Sequence, residues 1–292
     1  MASKSAAGAQ ATAASVASVG STHKAPKPRA ARGAPSVLEG FVLHSYEWSE
    51  SSLILDVFTR ERGRLAVAAK GARRPHSQFR SVLLPFQRLH LSLGRHDGKE
   101  QDEVHTLRQA EYAGGWPMLA GEALFTGFYC NELLMKLLAR QDAHPTLFEV
   151  YAATLPGLAA TGEAGTQRQQ AALRAFELFL LRETGHLPEL GTVTLTLQPV
   201  QAASRYRLLP EAGVIAAEMD NEPVFSGAQL QALQSALDLG PYPGALGALQ
   251  TACLGALGAL RAALRDLLVY HAGTTSWRTR QVMHDVRQLL QT

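Results

Sequence analysis

The segment RERGRLAVAAKGARRPH, residues 60–76, predicts a tight turn, a strand of small residues and a basic loop. From Arg60 to Arg88 eight Lys and Arg side chains stand against a single acid, Glu61, so the local balance is +7. The whole chain of 292 residues carries only +3. Most of the excess positive charge is therefore concentrated in one hairpin-like region. Such a concentration is typical of a surface that binds a polyanion, and an ordinary solvated surface is the equal alternative.

The sequence around this segment has the pattern of a small β-barrel. Stretches rich in apolar and β-branched residues predict five strands, at residues 37–44, 51–59, 65–70, 86–94 and 104–112. A glycine suits the tight connection at 60–63, and residues 77–84 predict a loop or one helical turn. This spacing indicates an OB-type barrel, with an SH3-like barrel as the structural alternative. The alanines of the third strand indicate tight packing or the close approach of an external molecule.

OB-type barrels often bind single-stranded nucleic acid in a basic groove with aromatic stacking platforms. The candidate phosphate contacts are Arg60, Arg62, Arg64, Lys70, Arg73, Arg74, Arg80 and Arg88. Tyr46 and Trp48 lie in a polar connection between two predicted strands, so they are the candidate platforms. Any other single aromatic side chain of this region is expected in the core. The cations are expected to lie along one edge of the barrel, where a strand of nucleic acid could track.

The β pattern ends at residues 114–117, GGWP, and helical periodicity follows. The sequence therefore predicts an α+β protein with three parts: a disordered basic tail at 1–35, an OB-fold domain at 36–113 and a mainly helical domain at 114–292. Helices are predicted at residues 119–140, 145–155, 166–184, 226–239, 246–267 and 275–291. The alternation of Val193, Leu195 and Leu197 with threonines predicts a small β excursion in which residues 205–209 are the pairing partner.

Several functional classes find no support in the sequence. Cys130 and Cys253 lie in apolar stretches, which predicts reduced core residues of a cytoplasmic protein and excludes a cysteine-based zinc site. No phosphate-binding loop, nucleophile elbow or metalloprotease motif is present, and the His-Asp pairs at 96–97 and 284–285 lack further metal ligands nearby.

Residues 239–260 carry no charge, but their prolines, glycines and regularly spaced leucines predict a buried helix rather than a membrane span. A binding protein without cofactor is expected rather than an enzyme.

Short motifs in a fixed order run through both predicted domains. The first domain contains EGFVL at 39–43, FT at 58–59, GRL at 63–65 and AKGARR at 69–74. The second contains YCNEL at 129–133, PTLF at 145–148, RAFELFLL at 174–181 and GHLP at 185–188. Each motif is weak alone, but their order and spacing resemble the bacterial recombination mediator family RecO. The resemblance extends from residue 39 to about residue 290.

The resemblance implies a cytoplasmic, nucleoid-associated mediator of recombinational repair that binds single- and double-stranded DNA and anneals complementary strands. It also implies action with RecR in loading RecA onto DNA covered by single-stranded-DNA-binding protein, whose acidic C-terminal tail the family contacts. Many members of the family carry a four-cysteine zinc site after the segment equivalent to residues 187–190. Here residues 191–198, GTVTLTLQ, contain no cysteine, so no metal is expected.

An acidic tail with an apolar end requires an apolar groove that is rimmed by cations. The candidate partner-binding residues are Arg261, Arg265, Arg278 and Arg280. An ordinary solvated helix face is the equal alternative for this cluster. The basic loop alone does not separate DNA from RNA, so an OB-fold RNA-binding protein and an interaction scaffold without a nucleic-acid role stay open as alternatives.

Overall fold

The computed structural model describes residues 37–94, 104–114, 118–162, 164–217, 224–240, 243–274 and 276–289. The predicted basic tail at 1–35 and the His-Asp pair at 96–97 lie outside the described residues. The first third of the described chain is a closed five-stranded barrel. Its strands are β1 (Val37–Glu47), β2 (Leu53–Thr59), β3 (Gly63–Ala69), β4 (Leu89–Leu93) and β5 (Val104–Tyr112).

The order of the strands around the barrel is β1-β2-β3-β5-β4. All pairs are antiparallel except β3 with β5, where Ala66 lies opposite Val104. One helical turn, α1 (Phe79–Val82), connects β3 to β4. The OB-type architecture that the sequence predicts, with its helical turn between the third and fourth strands, is therefore confirmed.

Strand β1 pairs with two neighbouring strands. Its beginning pairs with β4 and its remainder pairs with β2, and the register shifts between Val42 and His44. A β-bulge of this kind bends a strand and so helps a small sheet to close. The strand also extends past its predicted end to Glu47, which places Tyr46 opposite Ile54 rather than in a connecting loop.

Alternating side chains fill the interior of the barrel. Leu89 and Leu91 of β4 point inward and pack with residues such as Val57 and Val67, as the alternation in the sequence predicts. Strand β3 has a partner on both edges, and its alanines are buried. Tight packing is therefore the reason for the alanine run, and the strand leaves no open edge for an external molecule.

The rest of the described chain, the helical half of the fold, is mainly helical and contains one small sheet. The helices are α2 (Gly121–Leu137), α3 (Pro145–Leu158), α4 (Gly165–Glu183), α5 (Gly227–Asp238), α6 (Pro243–Leu254), α7 (Leu257–Ala272) and α8 (Arg278–Leu289). Helix α4 packs against α3, α6 and α7 and is buried along most of its length. Cys130 and Cys253 are buried free thiols. No helix among the described residues is both long and apolar enough to cross a membrane.

Two sequence predictions are wrong in this half. The helix predicted at 246–267 is two helices that meet at Gly255 and Ala256. Glycine favours such a break. The prediction missed it because the apolar residues keep their helical spacing across the point where the helix axis changes direction. The sheet consists of β6 (Arg205–Leu209) between β7 (Gly213–Ala216) and β8 (Phe225–Ser226), and not of β6 with residues 193–197. Leu195 and Leu197 lie exposed in a turn, where a positive φ at Leu197 is incompatible with a strand.

The barrel packs against the helices through an aromatic contact. Phe41 and Phe58, on the outer side of the barrel, meet Phe148 of α3 with ring centroids 5.1 Å and 5.5 Å apart. The Asn131 amide on α2 donates to the Leu43 carbonyl of β1 at 2.9 Å. Both halves therefore belong to one compact unit, which covers Pro35–Thr292. The aromatic residues in this contact are core, which leaves Tyr46 and Trp48 as the exposed candidates.

Candidate nucleic-acid interface and partner groove

The predicted DNA-binding cations do not form one continuous edge. Arg60 and Arg62 lie at the turn between β2 and β3, whereas Lys70 follows the opposite end of β3. Gly63 closes that turn with a φ of +66°, and a Cβ atom there would overlap the Asp142 carbonyl. The turn is therefore pressed against the helical half, and the cations near it face protein rather than solvent alone.

Two of these arginines pair with carboxylates at the contact between barrel and helices. Arg60 Nε lies 2.9 Å from Glu149 Oε1 of α3. The Arg88 guanidinium pairs with Glu39 of β1 and lies 3.4 Å from Glu149. The hydrogen bond from Arg88 holds the pKa of Glu39 below its usual value, even though partial burial opposes the shift. Much of the positive charge of Arg60 and Arg88 is thus balanced within the molecule.

Arg64 is buried more deeply, with 13% of its side chain exposed. It donates to the Met135 carbonyl of α2 and lies 3.4 Å from Asp56, which also pairs with Arg140 at 2.9 Å. Burial lowers the pKa of Arg64, and the neighbouring Arg140 acts in the same direction. Arg64 is thus part of the contact between the barrel and α2.

A second group of cations is exposed at the far end of β3. Lys70, Arg74 and Arg108 line a recess of about 570 Å³, and Arg73 and Arg80 line an adjoining recess of about 280 Å³. Phe79 of α1 lines both recesses, so the two form one basic surface around an aromatic ring. We call Lys70, Arg73, Arg74, Arg80 and Arg108 the barrel-end cations.

Arg73 connects this surface to the turn between β1 and β2. Its guanidinium lies 3.0 Å from Glu47 and donates to the Ser49 carbonyl at 3.3 Å. The β1–β2 turn therefore lies beside the basic loop; Trp48 lies in this turn, and Tyr46 lies in β1 shortly before it. Tyr46 is 48% exposed and Trp48 is 58% exposed. The structure thus places both aromatic candidates and the barrel-end cations at the same end of the barrel.

Arg62 is a predicted contact that lies away from the barrel-end cations, whereas Arg108 is one of them. Arg62 lies at the other end of β3, where one of its terminal nitrogens is 3.3 Å from His105 Nε2. Arg108 was not among the predicted contacts, because it is far from the basic segment in sequence. The signal that could have found it is the alternation of β5, since the inward Leu107 makes its neighbour point outward. Only the pairing of β5 with β3 brings it next to Lys70.

The helical half contains a groove of about 610 Å³ between α2, α4, α7 and α8. Three of the four predicted partner-binding residues, Arg261, Arg265 and Arg280, line it. Arg278 does not, because it lies at the start of α8, where its backbone N–H donates to Glu132 of α2. Arg174 and Arg287 also line it.

Apolar side chains from all four helices complete the groove: Phe125, Leu173, Leu257 and Met283. Arg265 lies 3.1 Å from Asp266, and Arg287 lies 2.5 Å from Glu122. Among the described residues no ion pair involves Arg261 or Arg280. The groove thus combines an apolar lining with two arginines, Arg261 and Arg280, that form no ion pair among the described residues.

Arg174 was missed because it falls in the apolar stripe of α4. It is largely buried and pairs with Glu177, which is fully buried. Burial raises the pKa of Glu177 and Arg174 opposes that rise. The Tyr129 hydroxyl donates to the same carboxylate at 3.1 Å. A polar residue inside an apolar stripe, three positions before an acid, is the signal that could have identified the pair.

The described residues show no arrangement suited to a metal ion or a reactive thiol. Within the described ranges no group of three or more His, Cys, Asp or Glu side chains is placed to hold a metal. The pair at 284–285 lies exposed on α8. Burial raises the pKa of the Cys130 thiol, and it raises that of Cys253 to about 12.

Comparison with known proteins agrees with this architecture. A family model described as "Recombination protein O N terminal" matches residues 36–116, and one described as "Recombination protein O C terminal" matches residues 118–200. A protein of Variovorax paradoxus is 53% identical over 253 residues, which cover 85% of this chain and 95% of the relative. A protein of Acidovorax ebreus is 48% identical over 254 residues, covering 85% and 96%. Both relatives carry the name DNA repair protein RecO, and the chain belongs to the RecO family.

Proposed function

We propose that this chain is a DNA-binding and strand-annealing mediator of recombinational repair. It acts with RecR and helps to load RecA on single-stranded DNA that is covered by single-stranded-DNA-binding protein. Membership of the RecO family supports the role in repair, since the relatives are named DNA repair proteins. The two basic surfaces support two separate roles: the barrel end binds DNA, and the helical groove binds the acidic tail of single-stranded-DNA-binding protein.

The observation that carries DNA binding is the exposed basic surface at one end of the barrel. Its cations surround Phe79, and the turn that carries Trp48 lies beside them. Basic grooves with aromatic side chains suit single strands, because the cations track the phosphates while bases stack on the rings. Arg60, Arg64 and Arg88 contribute less to DNA binding, because each pairs with a carboxylate at the contact between the barrel and the helices, away from this surface.

Annealing needs no bond chemistry, and the fold suits it. Two complementary strands repel each other through their phosphates, so a protein that neutralises one strand lowers the cost of bringing in the second. A basic surface that contacts the phosphates rather than the bases leaves the base edges available for pairing. The barrel-end cations are proposed to hold backbones in this way, while Tyr46 and Trp48 keep unpaired bases stacked.

Salt dependence of DNA affinity separates Lys70 and Arg74 from cations such as Arg60 that pair with a carboxylate of α3. Each phosphate contact with a single strand contributes about −0.7 to the slope of log affinity against log salt. We expect Arg74→Gln to make this slope shallower by about 0.7, and Lys70→Gln with Arg74→Gln by about 1.4. The matched control is Arg60→Gln, which removes a cation that already pairs with Glu149. A salt slope that changes only in Arg60→Gln would refute the placement of DNA on Lys70 and Arg74.

The helical groove is proposed to bind the acidic tail of single-stranded-DNA-binding protein. The tail's apolar end would lie on Phe125, Leu257 and Met283, and its acids would meet Arg261 and Arg280. The test is titration of a labelled tail peptide against the full chain and against Arg261→Glu. Arg182→Glu is the control, because Arg182 pairs with Asp238 of α5, away from the groove. Equal affinity of the two variants would contradict the assignment.

One experiment distinguishes the proposed function from its alternatives. Complementary DNA strands are coated with single-stranded-DNA-binding protein, with or without its acidic tail, and annealing is followed with and without the protein. We expect faster annealing of the tailed complex and a weaker effect without the tail. An RNA-binding protein would accelerate annealing of RNA but not of coated DNA. A scaffold without a nucleic-acid role would accelerate neither.

A further inference from the structure

A buried polar chain lies beneath the helical groove. The Tyr129 hydroxyl of α2 makes two hydrogen bonds: it donates to Glu177 of α4 at 3.1 Å and accepts from Arg280 of α8 at 3.4 Å. The Arg280 guanidinium also lies over the Tyr129 ring, 4.8 Å from its centroid. Glu177 in turn holds Arg174. Three helices are therefore connected through one tyrosine.

Helix α8 needs such a connection, because none of its described side chains is buried. Its N-terminus is held by Glu132 of α2, which accepts from the backbone of Arg278 and Thr279 at 2.9 Å and 3.0 Å. Near its other end, Arg287 pairs with the exposed Glu122. The Thr279 hydroxyl also donates to Glu132, and one residue further along α8 Arg280 donates to the hydroxyl of the buried Tyr129.

We propose that Tyr129 is a positioning residue for ligand binding in the groove: through Glu177 and Arg280 it fixes the α8 arginine at the angle that receives an acidic peptide. This inference rests on the proposed function of the groove. Tyr129 lies at the floor of the groove and keeps Arg280 from turning into solvent. A guanidinium that is already oriented loses less rotational freedom when a carboxylate binds.

The test compares two identical chemical changes in one core. Tyr129→Phe keeps the ring beneath Arg280 but removes the hydroxyl. Tyr151→Phe also removes a buried hydroxyl, whose partner is Asn131 at 2.6 Å, outside the groove lining. The probe is a fluorescein-labelled acidic peptide that ends in an apolar residue with a free carboxylate. We expect Tyr129→Phe to weaken its binding about threefold to tenfold at low salt, and Tyr151→Phe to leave it unchanged.

Two readouts separate positioning from a merely structural role. If Tyr129 acts by orienting a cation, the affinities of wild type and Tyr129→Phe converge at high salt, whereas general damage to the core persists. Amide exchange of the free protein should accelerate in α8 for Tyr129→Phe and not for Tyr151→Phe. Arg280→Lys, at a half-buried position, is the second variant and should show the same salt-dependent weakening.

Failure of the Tyr129 inference can be distinguished from failure of the proposed function of the groove. If the wild type does not bind the peptide, the proposed function of the groove fails and this inference fails with it. If the wild type binds and Tyr129→Phe binds equally well at low salt, the inference alone is overturned. Equal weakening by Tyr151→Phe would likewise overturn it, since that would indicate a general effect of losing a buried hydroxyl.

Discussion

Replacing Asp56 by Asn tests the view that Arg64 is held by the protein rather than available to DNA. Asp56 is 5% exposed and faces Arg64 at 3.4 Å and Arg140 at 2.9 Å. The amide keeps the size of the side chain and removes its charge, so the buried guanidinium of Arg64 loses its counter-charge. Removal of one partner from a buried pair costs about 3–5 kcal/mol.

The lower end of this range applies here. Arg64 keeps its hydrogen bond to the Met135 carbonyl, and Arg140 can turn to solvent. We therefore expect a loss of about 3 kcal/mol, which corresponds to a fall in Tm of about 6–12 °C for a unit of this size. The assay is thermal unfolding followed by circular dichroism at neutral pH.

The control is Asp266→Asn, the same chemical change in an exposed pair. Asp266 is 52% exposed and lies 3.1 Å from Arg265, so its loss should cost less than about 1 kcal/mol. A second variant, Asp56→Leu with Arg64→Met, removes both charges and should recover much of the stability. An equal fall in Tm for Asp56→Asn and Asp266→Asn would show that the protein does not hold Arg64 through Asp56, and so would a double variant that is no more stable than Asp56→Asn.

Three further predictions concern residues that stabilise the fold around the two candidate sites. Gly63→Ala should destabilise the protein by more than about 1 kcal/mol in denaturant titration, because the residue has a positive φ and its Cβ would meet Asp142. Ser226→Ala should cost about 1 kcal/mol in the same assay, because it removes the capping box of α5. The pKa of Glu39 is lowered by the hydrogen bond from Arg88, so its carboxylate stabilises the fold above the unfolded value of 4.5. The Tm difference between wild type and Glu39→Gln should therefore be full at neutral pH and vanish as the pH falls through the folded pKa; a difference that grows in acid would contradict this sign.

Local patterns in the sequence were sufficient to predict the barrel. The alternation around Leu89 and Leu91, the glycine at residue 63 and the helical turn before β4 each depend on neighbours in the chain, and all are confirmed. The break at Gly255 was not predicted, because two helices with continuous apolar stripes look like one.

The candidate sites show a different limit of the sequence. Charge counting found the basic segment but could not show that Glu149, far along the chain, lies 2.9 Å from Arg60. It also could not place Arg108 beside Lys70, because that neighbourhood requires the parallel pairing of β5 with β3. The groove arginines were found as a cluster, whereas Arg174 was hidden by the apolar residues around it. Contacts between distant segments decide which cations remain available, and a linear pattern does not contain them.

The position of Glu149 has a consequence for the protein while it is being made. The ribosome completes the barrel strands, which end at Tyr112, before it reaches α3. Until Glu149 is added, Arg60 lacks this carboxylate and Arg88 has only Glu39. The growing barrel is therefore more positively charged around its β2–β3 turn than the finished one. Glu149 of α3 then lowers the positive charge around the β2–β3 turn, whereas Lys70 and Arg74 lie at the opposite end of β3 and keep theirs.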